Sequence, residues 1–154
     1  MKRLSIFLAL LLTGAVGIVA QTNKDKSKKP PKAKPIPVYL GNEYMDGAMP
    51  SSAFGTALAK GLKGKDSSGK TYTVNGFRLT YVERNLYEDA EGNMKVEPDY
   101  MMEYCFGDSV IWFLRNNLAS RAKAGDTVYF DNITLTSPEG HGAQGKGIKL
   151  VLTK

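Results

Sequence analysis

Cys105 and His141 are each the only residue of their kind in the 154-residue chain, so a thiolate–imidazole nucleophile would have to be built from these two. Cys105 stands between Tyr104 and Phe106, a setting in which a thiol stays protonated and packs as a small apolar group. His141 lies in a glycine-rich stretch and is expected to be exposed. One histidine and one cysteine also fall short of the nitrogen- and sulfur-rich ligand set of a usual zinc site. The carboxylates form two groups, Glu88, Asp89 and Glu91, then Glu97, Asp99 and Glu103. A glycosidase needs two such groups held across a cleft, and sequence spacing alone does not provide that. The first group reads as a solvated turn and lacks the ligand order of an EF-hand. Gly140, Gly142 and Gly145 spell G-x-G-x-x-G, but they lead into Ile148-Lys149-Leu150-Val151-Leu152, a strand pattern. The dinucleotide fingerprint requires a helix there, so the glycines read as a flexible loop. No catalytic, cofactor-binding or metal-binding residue is assigned, and no cofactor is expected.

Trp112 and Phe113 are the residues most suited to contact a partner. They sit about 100° or more from the centre of the stripe formed by Val110, Leu114 and Leu118 on a helical wheel. Two readings follow. Packing beneath the segment that enters the helix is the favoured expectation, and an exposed aromatic contact patch is the alternative.

The elements that would position these residues are legible from periodicity. Tyr39-Leu40 begins a first strand. Ser51 or Ser52 caps a short helix that buries Ala53, Phe54, Ala57 and Leu58 and ends at Gly61. Lys63 to Lys70 reads as a polar loop. Tyr72 and Val74, then Phe77, Leu79 and Tyr81, alternate with polar neighbours, and their parity slips at Asn75-Gly76. That slip fits either a hairpin turn or a bulge. An acidic turn over Glu88 to Asn93 leads to a strand around Tyr100 to Phe106. A principal helix is expected near Ser109 to Ala124, with Asp108 as its N-cap and Gly125 just past its end. Thr127 to Leu135 forms a strand with a second slip at Asp131-Asn132, and Ile148, Leu150 and Leu152 mark the last strand. Together these predict a mostly-β, α+β domain: an antiparallel, sandwich-like β fold with one principal helix and one short helix.

Upstream of this domain the composition changes twice. Lys2 and Arg3 followed by an apolar run from Leu4 to Val19 have the form of a secretory signal, with cleavage expected after Ala20. An uncleaved anchor is the alternative, although the run is short of the ~20 residues that span a bilayer. Residues 21–37 are a Lys/Pro-rich tether, in which charge repulsion and fixed proline φ angles favour an extended chain. The domain occupies residues 38–154. Of 21 Lys+Arg and 15 Asp+Glu, eight basic residues and one acidic residue precede Val38, leaving the domain 13 against 14. The overall basicity belongs to the signal and tether, and nucleic acid is not an expected partner. The expected location is periplasmic or secreted, with no stable membrane span after signal cleavage.

Gly125-Asp126-Thr127-Val128-Tyr129-Phe130-Asp131-Asn132-Ile133, then Ser137-Pro138-Glu139-Gly140 and the closing Ile148-Lys149-Leu150, form a pattern with Tyr72-Thr73-Val74-Asn75-Gly76-Phe77-Arg78-Leu79. It resembles the C-terminal domain of GldM/PorM-type proteins, envelope components of gliding motility and type IX secretion machinery. The resemblance spans most of residues 38–154 and rests on structural positions. It implies a non-catalytic β domain that makes protein contacts, and it favours a bulge at Asn75-Gly76. It carries over no site residues. Proteins of that family have a membrane-anchored part and several periplasmic domains before this one, where this sequence has a signal and a tether. The expected role is an exported, non-catalytic binding or assembly module whose partner is an envelope protein. The alternatives are a carbohydrate-binding module using Trp112 and tyrosines, and a secreted hydrolase using carboxylates.

Overall fold

A computed structural model describes residues 33–154. The signal expected at residues 1–20 and residues 21–32 of the expected tether lie outside the described residues. Strands dominate: β1 (Val38–Leu40), β2 (Gly47–Pro50), β3 (Leu62–Lys65), β4 (Thr71–Glu88), β5 (Met94–Phe106), β6 (Thr127–Thr136), β7 (Gly142–Gln144) and β8 (Ile148–Thr153). Two helices accompany them, α1 (Ser51–Lys60) and α2 (Trp112–Arg121). This is the mostly-β, α+β class that the periodicity predicts. The strands form one curled, mixed sheet in the order β1-β3-β4-β6-β8-β2, with β5 on β4 and β7 on β6. All strand pairs are antiparallel except β2 with β8. The curl nearly closes on itself, because Ile36, just before β1, bridges Gly145, just after β7.

The core lies between the inner face of this sheet and the two helices. Phe77, Leu79 and Tyr81 of β4, Val128 and Phe130 of β6, and Ile148, Leu150 and Leu152 of β8 supply the sheet side. Phe54 and Leu58 of α1 and Leu118 of α2 cover them, and Phe54 stacks on Tyr81 with ring centroids 6.2 Å apart. Alternation by two residues puts these side chains on one face, and their removal from water is the main source of stability. The helices cross closely because Gly55 has no side chain: a Cβ there would lie 2.8 Å from that of Ala119.

Both parity slips are bulges. Asn75-Gly76 lies inside the continuous strand β4, whose register against β6 shifts between Val74 and Gly76 and again before Arg78. The hairpin-turn reading is thereby excluded. Gly76 is needed at this point, since a Cβ would stand 2.9 Å from the Cys105 carbonyl oxygen. Asn132 takes φ 51, a left-handed geometry that Asn tolerates, and it restores the inward face of β6 for Ile133 and Leu135.

The principal helix is shorter than its sequence pattern. It starts at Trp112 instead of Ser109 and has no side-chain cap. Asp108 is engaged elsewhere: its carboxylate accepts from Lys63 Nζ at 2.5 Å and from Ser109 Oγ at 2.7 Å. Those contacts hold the Asp108 carboxyl below the ordinary carboxylate range, led by the Lys63 bond. Lys63 itself sits on β3, in a stretch whose polarity reads as a loop. There Leu62 is buried, and Leu135 packs where Gly64 leaves room.

Candidate protein-docking face

β4 and β5 form a long hairpin in unbroken register from Gly76↔Phe106 to Glu88↔Met94. β4 also pairs with β6 up to Val82↔Thr127, so beyond that point the two strands pair only with each other. Asp89 makes the connecting turn: its carboxylate accepts the N–H groups of Glu91 and Asn93 and meets Lys95 Nζ at 2.7 Å. The first carboxylate group is thus a turn, with Lys95 and the Asn93 N–H holding the Asp89 carboxyl below its usual range.

Register determines which side of β5 meets water. The odd residues of β4 face the core, so the odd residues of β5 opposite them share that face: Met101 by Tyr81, Glu103 by Leu79, Cys105 by Phe77. The even residues of β5 are therefore outside. Met94, Val96, Tyr100, Met102, Tyr104 and Phe106 form a file of exposed side chains, with Phe106 91% exposed. The file continues across the outer sheet face, from Met102 through Thr80 and Tyr129 to Lys149, and from Tyr100 through Val82 and Thr127 to Val151. Using 150–250 Å² per aromatic ring as a scale, the exposed parts of Tyr100, Tyr104 and Phe106 come to roughly 300–550 Å², and Met94, Val96 and Met102 add to it. A patch of that size is at the upper end of what monomers expose and is the kind that marks an interaction site.

Trp112 and Phe113 are 67% and 73% exposed, and Ile111 beside them is exposed as well. This corrects the expectation that they pack beneath the entering segment. The buried residue there is Val110, two residues earlier and outside the helix, and because the helix begins at Trp112 the aromatic pair occupies a free first turn. Sequence reasoning missed the even residues of β5. Their alternation with Lys95, Glu97, Asp99 and Glu103 is visible, but alternation shows only which residues share a face. An apolar file is ordinarily assigned to the inside, and here the pairing with β4 places it outside.

The other chemically interesting residues do not come together. Cys105 is buried against Phe77, and burial pushes its thiol up to about 11. His141 lies in the exposed turn between β6 and β7, its N–H directed at Ser137 Oγ. Gly140, Gly142 and Gly145 lie in and around β7 and lead into β8, so the nucleotide fingerprint has no helix to open. Among the described residues, no group of three or more His, Cys, Asp or Glu side chains is placed to hold a metal ion. Asp126, in the Gly-Asp turn before β6, is fully buried and accepts from Tyr81 Oη, from the Arg84 N–H at 2.9 Å and from the Lys123 N–H at 3.0 Å. Burial, then the Asp126 contact, raises the Tyr81 hydroxyl pKa strongly. This is a structural knot tying β4 to the end of α2. A concavity of about 620 Å³ between α1 and α2 is lined mostly by small residues, Ser51, Ser52, Gly55, Thr56 and Ala119 among them.

No helix among the described residues is long and apolar enough to cross a membrane. Compared with known proteins, the chain matches no family model and no curated sequence.

Proposed function

We propose that the chain is a non-catalytic protein-binding or assembly module of the cell envelope, and that the even face of the β4–β5 hairpin is its contact surface. The observation that carries this reading is the exposed file of Tyr100, Met102, Tyr104 and Phe106 on a strand that, among the described residues, pairs on one side only. Tyrosine, phenylalanine and methionine are the residue types enriched at interface centres, and a lone domain has no stabilising use for so large an exposed apolar strip. Trp112 and Phe113 form a second exposed aromatic group, at the start of α2. The signal-like residues 1–20 support an envelope or extracellular setting. The resemblance to the GldM/PorM C-terminal domain supports a role in gliding-motility or type IX secretion assemblies.

Affinity capture from envelope extract of expressing cells tests this. Replacing Tyr100, Tyr104 and Phe106 by Ser is expected to abolish recovery of a reproducible protein partner while changing the melting temperature little, because exposed positions usually contribute within about 0.5 kcal/mol each. Undiminished capture by that variant would remove the hairpin face from the account. A second reading, carbohydrate binding, is favoured by Tyr100 and Tyr104 lying exposed on a sheet face, where rings can stack on sugars. Recovery of glycan alone would select it.

A further inference from the structure

The outer edge of β5 carries a second feature, independent of its side chains. Asp89 donates its N–H to the Asn93 carbonyl at 3.0 Å and Gly107 donates to the Asn75 carbonyl at 2.8 Å. Because the register between these two bonds is unbroken, the odd residues of β5 direct their backbone groups at β4. The even residues direct theirs away, and among the described residues β5 pairs with no strand besides β4. Pro98 is even, so it costs the ladder nothing and removes one donor from the free edge. From Tyr100 to Phe106 the edge is uninterrupted, with the N–H groups of Tyr100, Met102, Tyr104 and Phe106 all pointing outward. Natural sheets usually blunt such an edge. Here Pro98 does so at one end and the inward-side carboxylates Glu97, Asp99 and Glu103 charge the strand, while the backbone edge from Tyr100 to Phe106 stays open beside the most exposed apolar side chains.

Charge narrows what can pair there. On the odd face, Lys95 is taken by Asp89, while Glu97, Asp99 and Glu103 make no ion pair among the described residues. Self-pairing of two copies of β5 satisfies this charge only in part: antiparallel registers centred on residues 97 to 101 or on 103 set two carboxylates directly opposite each other, and the register centred on Met102 sets Asp99 and Glu103 opposite the uncharged Cys105 and Met101. An incoming strand with Lys or Arg on that face and apolar residues on the other meets both requirements. We infer that this edge binds an extended segment of a partner protein by strand addition, and that the segment alternates apolar residues with Lys or Arg. The inference rests on the hairpin face being the contact surface and adds how it is used: main-chain bonds from the edge give affinity, and alternate side chains give selectivity.

The test uses the chain as recovered from expressing cells, with a synthetic Lys-Val-Lys-Val-Lys-Val-Lys-Val peptide as probe and its Glu-Val counterpart as control. Amide exchange is followed residue by residue. Without peptide, Met101, Glu103 and Cys105 are expected to be protected and Met102, Tyr104 and Phe106 to exchange fast. Saturation with the basic peptide is expected to slow exchange at Met102, Tyr104 and Phe106, and the acidic peptide is expected to bind about fivefold more weakly or worse. Met102→Pro removes one outward N–H without touching the ladder to β4 and should weaken the basic peptide at least about tenfold. Should that variant unfold, Asp99→Lys with Glu103→Lys keeps the test open, since it should reverse the preference between peptides.

Several outcomes overturn strand addition: peptide binding that leaves the even amides fast, equal affinity for the two peptides, or no binding. So would protection of these amides without peptide that grows with protein concentration, which would mean a second copy, or protection by phosphatidylglycerol vesicles alone, which would mean a membrane. If the Tyr100/Tyr104/Phe106 replacement still abolishes capture in those cases, the docking face survives and only its mode of use falls.

Discussion

Cys105 and Asp126 show how one residue type takes its role from its surroundings. Burial raises the Cys105 thiol from the ordinary 9.0 to about 11, so at neutral pH it is protonated and shielded. The native protein is expected to react with a disulfide reagent at pH 8 only at the rate of unfolding, and at once in denaturant. Rapid native labelling would contradict the packing of β5 on Phe77. Because the folded value lies above the unfolded one, this group's favourable term is complete below pH 9 and lost as pH rises through 11. Melting temperature should therefore fall on the alkaline side for the native chain more than for Cys105→Ala. Asp126 serves three donors with no access to water. Asp126→Ala should cost at least about 3 kcal/mol, and Tyr81→Phe about 1–2 kcal/mol, in urea unfolding. Losses under 1 kcal/mol for Asp126→Ala would show that the knot is not structural.

Elements with a strict period and a buried face were the legible ones. β6 and β8 alternate cleanly, and α1 runs from Ser51 to a Gly61 whose φ of 73 ends it, as the glycine predicts. β3 and β2 were not legible, because Lys63, Gly64 and Lys65 or Gly47 and Ala48 carry no strand signature. They become strands by pairing with β4 and β8 respectively. The start of α2 was misplaced for a related reason: Asp108 has the chemistry of a cap but is held by Lys63, a contact 45 residues away in sequence that local reasoning does not contain. The close crossing of α1 and α2 gives a prediction at this scale. Gly55→Leu should destabilise by about 1–3 kcal/mol through the clash with Ala119, and Ala119→Gly should recover part of it. A neutral Gly55→Leu would mean that the helices are free to separate.

At the scale of the molecule, the sheet has two unlike sides. Its inner face is closed by helices, while its outer face and one edge are left apolar and open along β5. The sequence shows the alternation that builds this hairpin, but which side faces out depends on its pairing with β4, a long-range fact. The exposed first turn of α2 adds Trp112 and Phe113 as a separate surface, and Trp112→Ser with Phe113→Ser is expected to leave stability within about 1 kcal/mol. The central claim is that β5 is where another protein sits. Photo-crosslinking in intact expressing cells tests it most directly, with a benzophenone amino acid placed at Tyr104 and, for comparison, at His141 in the exposed turn between β6 and β7. A discrete protein adduct from position 104 and none from 141 is the expected result. Equal adducts from both positions, or no protein adduct from 104 with the protein folded and in place, would contradict it.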